Sequence, residues 1–129
     1  MTSIDTNILV RLFTADDRKQ AEKAKRLFKK EQIYITKTVI LETEWVLRFA
    51  YDFPIDAIAD AFIKLLGQEN VAVEDAHHVA MAIGLLRDGL DFADALHLSC
   101  SQNHTFVTFD KKLVTRAAAS GVAQVKLLE

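Results

Sequence analysis

Acidic side chains stand at a few places where their type and spacing could do chemistry: Asp5 at the end of TSID, Glu42 within VILETEW, Asp91 and Asp94 within DFADALHL, and Asp110 directly after TFVTF. Carboxylates gathered at one place repel. Two of them about 4 Å apart cost roughly 4 kcal/mol at an effective dielectric near 20, so such a cluster needs protons or divalent cations to be stable. Oxygen-only ligands suit the hard cations Mg²⁺ or Mn²⁺ over zinc, for which the chain has no suitably spaced Cys/His set. Cations held in this way bind a phosphodiester, polarise its oxygens and deprotonate a water for in-line attack, which is the chemistry of a hydrolytic nuclease.

The elements that must position these acids follow from periodicity. Short β-type runs occur at residues 2–5, 33–36, 71–73, 105–109 and 124–127, with helix-period segments between them. Residues 16–30 carry Ala21, Ala24, Leu27 and Phe28 at helical spacing, and residues 38–49 carry Leu41, Trp45, Val46 and Phe49 likewise. Residues 54–66 open at Pro54 and stop at Gly67, residues 75–87 stop shortly before Gly89, and Gly121 punctuates the last helix before the closing strand. This alternation predicts an α/β fold, a three-layer α/β/α sandwich around a mostly parallel central sheet of about five strands. In open sheets of this kind ligands bind beyond the carboxyl ends of the strands. Asp5 closes the first strand, Asp110 closes the fourth, Asp94 falls in the first turn of a helix beginning near Asp91, and Glu42 lies early in the helix after the second strand. The topology would thus gather acids from distant parts of the chain at one edge.

Each acid also has a plainer reading. Asp5 and Asp110 precede helical segments and could simply cap them, and Asp91 with Asp94 three residues on resembles a capping arrangement. Glu42 is harder to assign to structure alone, because it borders an apolar face with Lys37 five residues back and Arg48 six ahead, neither at ion-pair spacing. Glu44 is its rival, but two residues turn a helix by about 200°, so both cannot face one site. The phase of Trp45 and Val46 selects Glu42.

A chain of 129 residues, half of them hydrophobic, fits one domain spanning residues 1–129 with a single core. No apolar run approaches the roughly 18 to 20 residues needed to cross a bilayer, and MTSIDTN lacks the features of a secretory signal, so a cytoplasmic protein without membrane association is expected. The lone Cys100 cannot form an internal disulfide and reads as a small core residue in a reducing compartment. A formal net charge of −2 offers no overall attraction to nucleic acid, so phosphate binding would rest on local basic patches or bound cations. RKQAEKAKRLFKKE could contact RNA phosphates, although a plain solvated helix face is the favoured reading of it. His77 and His78 are adjacent and His97 sits in an apolar helix, which makes them poor ligands, and Trp45 with the phenylalanines reads as core rather than as base-stacking surface.

DTNILVRLF, VILETEWVLR, DFADALHL and TFVTFDKKL, in that order, resemble the PIN-domain ribonucleases, and specifically the VapC toxins of toxin–antitoxin pairs. The resemblance covers nearly the whole chain. It implies that Asp5, Glu42, Asp94 and Asp110 match the family's acidic quartet, which binds one or two Mg²⁺ or Mn²⁺ ions. It further implies that Asp91 matches an acid often found beside the quartet, and that Asn7 and Thr108 match polar positions supporting the site. An RNA substrate, a homodimer and silencing by a small cognate antitoxin are implied in the same way.

Other functions compete on the same residues. A phosphatase forming an aspartyl-phosphate needs an acid two residues after the first aspartate, where this chain has Asn7, whose neutral amide cannot transfer a proton. A phosphoacceptor signalling domain needs an acceptor aspartate after the third strand, and Glu74 and Asp75 match that poorly. A housekeeping nuclease of the same fold, without a toxin role, remains a third reading.

Overall fold

β-branched runs alternating with amphipathic segments give five strands and seven helices in the computed structural model, which describes all residues from Met1 to Glu129. The chain divides into two compact units, Met1–Ala76 and His77–Glu129. The first holds β1 (Thr2–Ser3), α1 (Thr6–Phe13), α2 (Arg18–Lys30), β2 (Ile33–Ile35), α3 (Lys37–Phe49), α4 (Ile55–Leu66) and β3 (Val71–Val73). Its sheet has the order β1-β2-β3 with both pairings parallel, Thr2 lying opposite Ile33 and Ile33 opposite Val71. Parallel neighbours require long crossovers, which the helix pairs α1–α2 and α3–α4 supply. Ile33 and Ile35 of β2 are fully buried, as are Leu9 of α1, Leu47 of α3 and Ile58 of α4. Apolar burial at roughly 25 cal/mol per Å² is the main force that fixes these helices in place. Ala21 and Ala24 line the buried side of α2, and such small side chains let it lie close to α1, its principal neighbour.

The second unit holds the rest of α5 (Ala76–Arg87), then α6 (Phe92–Ser99), β4 (Phe106–Thr108), α7 (Lys111–Ala119) and β5 (Val125–Leu127). β4 and β5 pair in parallel, Phe106 opposite Val125, with α7 as the crossover packed on both strands. Val79, Ile83 and Leu86 form the buried stripe of α5, as their spacing predicts. Gly89 at φ 102° and Gly121 at φ 80° take the left-handed turns after α5 and α7. Gly67, by contrast, ends α4 at φ −83°, a conformation open to any residue.

Strand number and direction agree with expectation, but the strands form two sheets, of three and two members, where one continuous sheet was expected. Each strand is only two or three residues long, which confines each ladder to a few pairs. No helix is long and apolar enough to cross a membrane.

Candidate active site

In the first unit the chain leaves β1 through buried Ile4 and turns at Asp5, which is extended at φ −94°, ψ 177° and forms the N-cap of α1. Its Oδ1 accepts a hydrogen bond from the Ile8 amide at 3.2 Å, while the side chain stays exposed. The capping reading is therefore correct for Asp5, yet it engages only one carboxylate oxygen. The next residue, Thr6, is buried and donates its hydroxyl hydrogen bond to Glu42 on α3. Glu42 is thus held by the residue that directly follows Asp5 at the start of α1. Thr6 is a functional candidate that sequence reading missed; its only signal was a hydroxyl residue beside the first acid. Asn7 is exposed and, with Asp5, borders a groove between α1 and α2.

The phase read for α3 requires correction. Its buried face is Ile40, Thr43, Glu44 and Leu47, whereas Trp45 is 57% and Phe49 59% exposed. Glu44, 1% exposed, pairs with Arg48 one turn on, Nε to Oε2 at 2.9 Å. Two apolar stripes interleave on this helix, and the one that packs inward includes an acid because Arg48 neutralises it. Glu42 lies about 150° from the centre of that face, exposed apart from its bond to Thr6. Glu44 is enclosed by structure, and Glu42 is the glutamate that solvent and ligands can reach.

The second unit holds three of the candidate acids, each at the start of a helix. Asp91 is exposed and caps α6 through a bond from the Asp94 amide to its Oδ2 at 3.4 Å. Asp110 is exposed and caps α7, its Oδ1 accepting from the Lys112 and Leu113 amides at 2.9 and 3.2 Å. Thr108 steadies that turn by accepting the Asp110 amide on Oγ1 at 3.1 Å. Asp94 is half-buried in the first turn of α6. Burial raises its carboxyl above the usual aspartate value of 3.8, the charge of Asp91 raises it further, and a lowering by His97 is set against a lesser raising by Asp110.

Whether these residues suit a divalent cation is decided by their donors and their neutralisation. Every candidate offers carboxylate oxygen, and no lysine or arginine forms an ion pair with Asp5, Glu42, Asp94 or Asp110. Carboxylate donors without a lysine or arginine partner fit a hard cation. A cavity of about 800 Å³ among α5, α6 and the turn at Gly121 is lined by none of the candidate acids. Two expectations fail nearby: Cys100 is exposed rather than core, and Phe109, beside Asp110, is 79% exposed.

The sequence matches the family model described as the PIN domain over residues 3–119, and the chain belongs to that family of nucleases. Its α/β fold of parallel strands and crossover helices is the PIN fold. Among solved structures it is similar to Mycobacterium tuberculosis VapC20, described as a sarcin-ricin loop cleaving toxin, with 22% identity, 96% of this chain and 98% of that chain covered, and a TM-score of 0.44. No curated protein matches it significantly.

Proposed function

We propose that residues 1–129 form a single nuclease domain, a Mg²⁺- or Mn²⁺-dependent endoribonuclease whose catalytic carboxylates are Asp5, Glu42, Asp94 and Asp110. Asp91 adds a further metal ligand, and Asn7 and Thr108 support the set. The observation that carries this reading is Asp94, half-buried at the start of α6 and in no ion pair with a lysine or arginine, its ionisation opposed by burial and by the charges of Asp91 and Asp110, in a chain whose family consists of nucleases. A bound divalent cation supplies Lewis acidity, which polarises the phosphodiester and makes water acidic enough to attack it. The chain's own part is positional. Helix caps fix one oxygen each of Asp5, Asp91 and Asp110, and the Thr6 hydroxyl orients Glu42. The motif resemblance supports a toxin held silent in the cytoplasm by a cognate antitoxin. The exposed, mutually packed rings of Trp45 and Phe49, with centroids 5.4 Å apart, support a homodimer that covers them.

The test is product chemistry on labelled RNA. Cleavage is expected to vanish with EDTA and return with Mg²⁺ or Mn²⁺, to leave 5′-phosphate and 3′-hydroxyl ends, and to continue when the scissile sugar is 2′-deoxy. Cyclic phosphate ends would instead mean attack by the RNA's own 2′-hydroxyl, for which paired titrating groups near pH 7 are needed. Asp5→Asn and Asp94→Asn should each abolish cleavage while keeping the fold, and Asp94→Asn should raise the melting temperature of metal-free protein by removing a repelling charge. Full activity in both variants would refute the assignment.

A further inference from the structure

The formal net charge of −2 conceals a strong local excess of positive charge on α2. That helix has Glu22 as its one acid, and its lysines and arginines are all exposed and outside any ion pair. At 100° per residue they form two stripes. Lys19, Lys23, Arg26 and Lys30 fall within about 60°, while Arg18, Lys25 and Lys29 fall within about 40° on the far side of buried Ala21 and Ala24. The first stripe reaches the groove between α1 and α2 through Lys23, which lines a cavity of about 440 Å³ together with Asp5, Asn7 and apolar Ile8 and Leu27, while Lys19, Arg26 and Lys30 continue the charge along the outer face of the helix. Arg11 also reaches this groove, but its charge is already satisfied. Its guanidinium bonds to Gln20 at 2.8 Å, to the Tyr51 hydroxyl at 2.9 Å and to Asp16 at 3.2 Å. Lys23 is the groove cation left open to an incoming anion.

We propose that the Lys19, Lys23, Arg26 and Lys30 face of α2 is the docking rail for the backbone of single-stranded RNA, leading the strand along the α1–α2 groove to Asp5. The match is one of chemistry. A row of like charges on a regular helical stripe suits a polymer of regularly spaced phosphates, and the apolar side chains in the groove suit the flat faces of unstacked bases. The inference rests on the nuclease reading of Asp5, and it adds the route by which substrate arrives.

The experiment uses the full chain with a labelled single-stranded RNA in EDTA, so that binding is read without cleavage, over a series of KCl concentrations. A rim variant, Lys19→Gln/Lys23→Gln/Arg26→Gln, is compared with a control, Arg18→Gln/Lys25→Gln/Lys29→Gln, which lowers the net charge equally. Glutamine keeps the helix propensity of the residues replaced. Each lost phosphate contact removes about 0.7 from the slope of log K against log salt, so the rim variant should lose about 2 in slope and about 100-fold in affinity at 0.1 M salt. The control should bind like the parent. Equal losses in both variants would reduce the effect to overall charge and overturn the inference. So would parent-like binding by the rim variant, which would give this face to another partner, a protein included. Cleavage in Mg²⁺, measured in parallel, separates the two readings. A parent that binds through the rim but never cuts sinks only the nuclease, whereas a parent that cuts while the rim variant keeps its slope sinks only the rail.

Discussion

Two glutamates on α3, two residues apart, have opposite environments, and single substitutions should expose the difference. Glu44→Ala removes one member of an enclosed ion pair and leaves Arg48 without its carboxylate; a loss of about 2 to 4 kcal/mol is expected in urea unfolding. Glu42→Ala removes one hydrogen bond at an exposed position, so about 1 kcal/mol or less should be lost while RNA cleavage disappears. A second residue-scale expectation concerns Asp16, whose carboxyl is held below the usual 3.8, first by the hydrogen bond from Tyr51, with Thr14 and Arg11 adding to it. A lowered carboxylate contributes stability that is complete above its unfolded value and is lost as pH falls through the folded one. Tyr51→Phe should therefore move the Asp16 titration up toward 3.8, as followed by carboxyl-carbon NMR. The acids at helix starts were legible from type and position alone. The Thr6 hydroxyl was not, because a side chain that orients another across 36 positions of sequence leaves no local pattern.

At the scale of elements, one residue can serve both a helix and a reaction, and the two roles separate by choice of substitution. Asparagine caps as well as aspartate, so Asp110→Asn should keep α7 and melt close to the parent while losing cleavage. Asp110→Ala should lose cleavage and about 1 kcal/mol of stability besides, which thermal melts of the two variants will resolve. A result in which only the alanine variant is inactive would make Asp110 a cap and nothing more. Most element positions were readable because helix and strand periods differ and because Pro54, Gly89 and Gly121 mark boundaries. The inward face of α3 was misread. Hydrophobicity favours the stripe with Trp45 and Phe49, and only the spacing of Glu44 and Arg48 hints that a charged pair goes inside instead. The division into two sheets was equally hidden, since strands this short form or miss a ladder on a few backbone bonds that side-chain pattern does not encode.

For the whole molecule, the exposed aromatic pair on α3 bears on assembly. Trp45→Glu/Phe49→Glu should convert the proposed dimer to a monomer in light scattering while leaving Asp5, Glu42, Asp94 and Asp110 in place, and an unchanged mass would remove this face from the proposed interface. The uneven charge of α2 has a practical corollary. With a pI near 6.1 the protein is an anion at pH 7.5 and by its average charge should pass through a cation exchanger. A resin, however, responds to the nearest face of the protein, and a cationic stripe can turn toward the sulfonate surface while the acidic remainder faces the mobile phase. Retention on such a column above the isoelectric point, released by moderate salt, is expected for the parent. Earlier elution of the Lys19→Gln/Lys23→Gln/Arg26→Gln variant would show that α2 is the surface by which the molecule orients itself toward any polyanion.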